Sequence, residues 1–214
     1  MKKILPLLIA AAFASPVAMA HQAGDILVRG GLAFVSPQTS SDNVLGTGEL
    51  EIDSNMQLGL TLSYMLTDNW GVELLAATPF SHSVSTAGLG EVAKVKHLPP
   101  TLMAQYYFGD ANSKVRPYVG AGINYTWIYD EHVSSDAQSK GFSNFKASNS
   151  WGMAFQVGAD YMITDNIMLN AQMRYIDIDT RATVENDAVE PGTRARVNVD
   201  VDPFIYMVGL GYKF

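Results

Sequence analysis

The last eleven residues, Phe204 to Phe214, constrain the chain more than any other stretch. By parity Phe204, Tyr206, Val208, Leu210, Tyr212 and Phe214 fall on one side, and Pro203, Ile205, Met207, Gly209, Gly211 and Lys213 on the other. Successive side chains of a strand point to opposite faces. One face is therefore apolar without interruption, and the other carries small residues and a charge. About ten residues is the length a tilted strand needs to cross a bilayer. A strand of a soluble sandwich can alternate in the same way, so the rest of the chain has to decide.

The start of the chain is a separate object. Lys2 and Lys3 form a basic region, Ile4 to Ala14 an apolar one, and Ala18-Met19-Ala20 a small-x-small site, the layout of a secretory signal. The apolar run is too short for a spanning helix. Cleavage is expected after Ala20, which leaves residues 21–214 as one domain beginning at His21. Loss of Lys2 and Lys3 takes Lys+Arg from 14 to 12 against 21 acids, a mature charge of −9. That charge excludes nucleic acid as a partner, since binding it needs basic patches. No later stretch is a long apolar run of the kind a helical span requires. An exported chain that crosses a membrane without such helices must satisfy its backbone as a closed β-barrel.

Taken in order, the chain repeats the closing pattern. The first strand candidate, Asp25 to Pro37, sets Ile26, Val28, Gly30, Leu32 and Phe34 against Leu27, Arg29, Gly31, Ala33 and Val35. Met56 to Leu66 alternates most cleanly, stops at Thr67-Asp68-Asn69, and resumes from Trp70 to Ala77. Further candidates are Leu98 to Phe108, Arg116 to Trp127, Trp151 to Ile163 and, after a second Thr-Asp-Asn turn at 164–166, Ile167 to Tyr175. Connections near 38–48, 83–91, 131–149 and 185–193 are long and polar, and those between them are short. The reading is all-β: an eight-stranded antiparallel transmembrane barrel with short periplasmic turns and longer extracellular loops. Its outward face meets outer-membrane lipid. Its aromatic end, Phe214, is the terminus expected to be handed to the barrel-assembly machinery.

With the outward parity set, the inward residues can be read by depth. Arg29, Glu73, Arg116, Asp160 and Lys213 all fall near the periplasmic ends of their strands. In a narrow eight-stranded barrel side chains can fill the interior, so these five are expected to pair and plug the floor. They either block transport or only satisfy buried charge. Above them the expected lining is Leu75, Ala77, Thr101, Met103, Gly120, Ala154, Ile205 and Met207, suited to an apolar solute or to ordinary packing. His97-Leu98-Pro99-Pro100-Thr101 faces Pro79 across a hairpin if its loop is centred near Leu89. Proline cannot donate to a ladder, so this site is either an opening in the wall or a bulge near the rim. His21, His82, His97 and His132 are scattered over different strands and loops, Ser81-His82-Ser83 has no fixed acid partner, and no metal site, cofactor or catalytic residue is expected.

Several stretches resemble the outer membrane protein W (OmpW) family: Gln57-Leu58-Gly59-Leu60-Thr61, Glu73-Leu74-Leu75-Ala76-Ala77-Thr78-Pro79-Phe80, His97-Leu98-Pro99-Pro100-Thr101, Tyr107-Phe108-Gly109-Asp110-Ala111, Arg116-Pro117-Tyr118-Val119-Gly120-Ala121-Gly122 and Gly211-Tyr212-Lys213-Phe214. The resemblance covers essentially the whole mature chain. It implies a porin-like barrel of the Gram-negative outer membrane with a hydrophobic channel, passive transport of small hydrophobic solutes, and lateral release through the wall near Pro79, Leu98, Pro99 and Pro100. Some members of that family serve as receptors for phages or bacteriocins, which implies a competing role for the extracellular loops. One position departs. Where related sequences carry an aromatic, this chain has Arg174, expected at a constriction with Leu75, Met103 and Met207, where a charge disfavours an apolar solute unless an acid such as Glu73 pairs with it.

Overall fold

A computed structural model describes residues 20–43, 48–77, 79–186 and 194–214, with Ala77 described by its backbone alone. The expected signal segment, apart from Ala20, lies outside these residues, as does the Ala77 side chain expected to line the lumen. In chain order the elements are β1 (Ile26–Ser36), β2 (Ser40–Ser41), β3 (Leu50–Ile52), β4 (Asn55–Met65), β5 (Trp70–Ala77), β6 (Phe80–Thr86), β7 (Gly90–Leu98), β8 (Thr101–Tyr107) and β9 (Val115–Val133). There follow α1 (Ser135–Ser139), β10 (Phe142–Ala147), β11 (Ser150–Met162), β12 (Ile167–Ile176), β13 (Asp179–Asn186), β14 (Arg194–Asp200) and β15 (Phe204–Lys213).

Eight of these strands close on themselves in the order β1, β4, β5, β8, β9, β11, β12 and β15, each antiparallel to the next, with β15 returning to β1. Closure removes every sheet edge, which is what a β-structure in lipid requires. The register follows the parity of the sequence. Leu32 pairs Val208 and Leu58 on the outside, while Arg29 pairs Gly211 and Thr61 on the inside. Leu58 is 63% exposed and Leu210 58%, on a band that would be an aggregation surface in water and is ordinary in a bilayer. Aromatics ring both margins of the band: Trp70, Tyr106, Phe108 and Tyr212 at the short-turn end, Phe34, Trp127, Trp151 and Phe155 at the other.

The two Thr-Asp-Asn turns are built alike. Thr67 Oγ1 accepts from the amides of Asn69 and Trp70, and Thr164 Oγ1 from those of Asn166 and Ile167. Asn69 Nδ2 then donates to the Tyr107 and Gly109 carbonyls, and Asn166 Nδ2 to that of Lys213, so each turn is tied to the next stave.

Beyond the outer aromatic ring the connections are more ordered than expected. The hairpin β6–β7 pairs with β3 and β9, and β10, β13, β14 and β2 form a second sheet. The serine-rich stretch 131–149, expected as a polar loop, extends β9, forms α1 and returns as β10. Three apolar residues hidden in it, Ala137, Phe142 and Phe145, bury against Val84, Val95, Val184 and Val197 and make the order worthwhile.

Candidate functional site

At the periplasmic end the interior is filled by a hydrogen-bonded ion network. Arg29 reaches Asp160 with both Nε (3.0 Å to Oδ1) and Nη2 (2.6 Å to Oδ2). Its Nη1 donates to Glu73 Oε2 at 3.2 Å and Ser63 Oγ at 2.8 Å, and its Nη2 to the Tyr107 hydroxyl at 2.8 Å. A guanidinium has five N–H donors, and all five are used. Glu73 Oε1 accepts from Arg174 Nη2 at 2.6 Å and Gln156 Nε2 at 3.1 Å; Asp160 accepts from Asn170 Nδ2 at 2.8 Å and lies 2.8 Å from His21 Nε2. Arg29, Glu73 and Asp160 are each 0% exposed. Two acids balance two guanidiniums, and such burial is tolerated only with this density of partners. Neutral groups complete it, with Tyr107 donating to Gln105 Oε1 and Gln105 to Gln156 Oε1.

Inward glycines make the room. A Cβ on Gly158 would lie 2.5 Å from Tyr118 Cζ, the ring over which the Arg29 guanidinium stands at 5.5 Å and against which Tyr107 packs at 5.0 Å. Below the ions an apolar layer of Leu27, Met65, Met162 and Met168 closes the end.

The five charges expected to pair mutually divide into two groups. Arg116 donates to the carbonyls of Phe108 (3.0 Å), His21 (2.9 Å) and Asp68 (2.7 Å), and Lys213 Nζ donates to the Ala20 carbonyl at 2.9 Å and sits 3.9 Å from Asp25 Oδ2. Lys213 lies at the very end of the barrel, and Arg116 shares a rung with Asp160 but is directed to turn and N-terminal carbonyls. The Arg116 bond to His21 holds the N-terminal segment across the opening, whereas Ala20 belongs to the expected signal segment. His21, outside any strand, gave no alternation signal. Ser63, Gln105, Asn170 and Gln172 were readable by inward parity alone.

Above the network Leu75 is buried, followed by a packed belt of Ala33, Met103, Ala154, Ile176, Ile205 and Met207. Arg174 does not present a free charge to this belt, because its Nη2 is turned onto Glu73 and also reaches Gln172 Oε1 at 3.2 Å. Above the belt the staves and hairpins enclose an apolar chamber with a cavity of about 60 Å³, bounded among others by Val35, Ile52, Val95, Ile178 and Val199.

The barrel wall is interrupted beside this chamber. The last rung between β5 and β8 is Leu75–Thr101, and the next, between β6 and β7, is Phe80–His97. Across the residues between them, Ala76 to Pro79 on one side and Leu98 to Pro100 on the other, no rung forms among the described residues. Four residues face three, and none of the three prolines among them, Pro79, Pro99 and Pro100, can donate. The break is one-sided. Ala76 and Ala77 stay paired to β4, while the Pro100 carbonyl accepts from the Tyr125 amide at 3.1 Å and Asn124 Nδ2 at 3.3 Å, so both flanks are held.

Two of the four histidines expected to be scattered come together here. The rings of His82 and His97 stack at 5.1 Å, and Phe80 lies against both. Register explains it, since Phe80 pairs His97 and His82 follows on the same inward face. Farther out, Asp177, Asp179 and Asp202 bring three carboxylate oxygens within 4.8 Å, the one such group among the described residues.

These features have counterparts in known proteins. A family model described as the OmpW family matches residues 22–214. The chain belongs to the OmpW family. It is 50% identical to outer membrane protein W of Vibrio cholerae serotype O1, across 99% of this chain and 98% of that one, and 48% identical to outer membrane protein W of Escherichia coli K12, across 92% of each. The crystal structure of OprG from Pseudomonas aeruginosa superposes with a TM-score of 0.85 at 46% identity, covering 91% of this chain and 98% of that one. An eight-stranded barrel of the outer membrane is therefore what this OmpW-family chain forms, and its relatives are outer-membrane barrel proteins rather than enzymes.

Proposed function

We propose that this OmpW-family barrel admits small hydrophobic molecules passively from the outside and releases them sideways into the bilayer. The observation that carries this reading is an apolar chamber standing above a filled floor and beside a one-sided break in the wall. The network of Arg29, Glu73 and Asp160, with Arg116 holding the His21 carbonyl and Lys213 beside Asp25 beneath it, closes the axial way out. Pro79, Leu98, Pro99 and Pro100 bound the lateral one, and Leu75, Met103, Arg174 and Met207 form the base that turns the solute toward it. No cofactor or covalent step takes part. Leu75→Arg places a charge at that base, and uptake of apolar solutes into vesicles is expected to fall about tenfold or more. Unchanged uptake of every compound tried would contradict an internal route.

A second reading has its own support in the ordered sheet of β2, β10, β13 and β14 carried beyond the membrane. It makes the barrel an anchor whose outer surface meets a phage or bacteriocin. Trimming residues 131–149 would then abolish binding of such a partner, while Leu75→Arg would leave it intact. Under either reading Phe214 presents the chain to the assembly machinery, and the mature chain begins at His21 after signal cleavage, which N-terminal sequencing of the exported protein tests.

A further inference from the structure

The apolar chamber has a polar contact point. His82 faces into it from β6 and is 3% exposed. Its Nδ1 lies 2.6 Å from the carbonyl oxygen of Asp53. A carbonyl only accepts, so Nδ1 carries the proton and Nε2 is left as a bare lone pair. That nitrogen is buried and has no hydrogen-bond partner among the described residues. Buried acceptors almost always have one. The surrounding surface does not supply it: Val35, Ile52, Val84 and Val95 have no side-chain donors, the Thr126 hydroxyl already donates to Asn124 Oδ1 at 2.7 Å and the Thr180 hydroxyl to the Ser148 carbonyl at 2.5 Å, and the His97 ring lies face to face with His82 rather than in line with its Nε2. Burial also holds the His82 imidazole below its ordinary pKa, so the ring stays neutral and keeps its lone pair.

We propose that His82 Nε2 is a specificity-determining acceptor. The solutes the chamber selects are small apolar molecules that carry a hydrogen-bond donor, a hydroxyl or a ring N–H, and bare hydrocarbons are taken less well. This rests on the passage reading above. The stack of His82 on His97 and Phe80 fixes the ring beside the first rung above the wall break, so a molecule held at Nε2 is already at the outlet. At about 60 Å³ the chamber is smaller than the roughly 150 Å³ of a cavity that holds one benzene ring, so a single ring or a short chain enters only as the lining side chains give way, and anything larger is disfavoured.

Phenol and toluene have nearly the same shape and differ in the donor, so they form the test pair. The full-length barrel in lipid nanodiscs is titrated with each, scaled to the probe's concentration in the membrane, while the ¹⁵N resonance of His82 is followed. The wild-type protein is expected to bind phenol about tenfold more tightly than toluene, with the Nε2 signal moving for phenol alone. His82→Phe keeps a ring in the stack and is expected to bring the two probes level. Equal binding by the wild type, a still Nε2 signal, or a preference that survives in His82→Phe would overturn the acceptor role and leave passage standing. Occupancy of the chamber by neither probe would overturn the passage reading and this inference with it.

Discussion

The two halves of this barrel share one wall pattern and differ in what fills them. At the periplasmic end Arg29, Glu73, Asp160 and Arg174 are held by directional bonds at 2.6–3.2 Å, and every donor of Arg29 has a named acceptor. At the extracellular end Val84, Val95, Ile178 and Val199 meet through apolar contact with no directional partner. A charged network tolerates no vacancy, because removing one partner leaves a buried charge alone. An apolar chamber tolerates a guest, because a guest replaces one set of dispersion contacts with another. Lipid dictates the outer face of both halves and leaves their interiors free to diverge, and that freedom lets one end close while the other receives.

Substitutions should separate the halves by size of effect. The largest is expected from Asp160→Ala, which takes the acceptor from two of the five Arg29 N–H groups and leaves Glu73 as the one acid for two buried guanidiniums, and should cost about 3–5 kcal/mol, read as urea-induced unfolding from lipid vesicles. Arg174→Ala should cost less, about 2 kcal/mol, because Glu73 keeps Arg29 as a partner. It should also show strong coupling to Glu73→Gln in a double-mutant cycle. In the upper half Val95→Ala removes two methyl groups and should cost about 1.5 kcal/mol. A floor substitution no more costly than Val95→Ala would erase the contrast.

Acid provides a smaller and more local probe. Above the outer aromatic ring, burial lowers His82, and lowers His97 from 6.5 to about 3, with the neighbouring His82 adding to the effect; the Asp53 backbone and carboxylate oppose it more weakly at His82. Below pH 6.5 the opened hairpin therefore binds protons that the closed one refuses. The stability of β6–β7 is complete above that pH and declines as pH falls toward 3. Amide exchange in Phe80–Thr86 should accelerate over this window before exchange in β11 or β12 does. At the bottom of the scale, Lys96 and Asp130 form an exposed pair at 2.6 Å in which each favours the other's charged form, and Lys96→Ala should leave the unfolding midpoint unchanged.

Much of this was legible because a barrel in lipid writes its outer face into every second residue. Leu58, Leu60 and Leu62 could face only one way, and that fixed the inward side of Arg29, Glu73 and Asp160 without a structure. Parity does not say which inward groups touch. Arg116 and Lys213 were grouped with the network and instead bind carbonyls, and His21 was invisible because it precedes the first strand. The approach of His82 to His97 depends on the β6–β7 register, which a turn near Leu89 implied, but rings that far from the periodic core carried no pattern of their own. The order in 131–149 was masked by serines, with Phe142 and Phe145 too sparse to show an alternation.

The wall break tests the account most directly. The chain has no cysteine, so Pro79→Cys with Leu98→Cys places two thiols on opposite flanks of the gap, where a short bismaleimide can staple them after the barrel has folded into vesicles. Stapled protein is expected to lose uptake of small apolar solutes, while each single-cysteine variant treated in the same way keeps it. Undiminished uptake through a fully stapled wall would contradict lateral release.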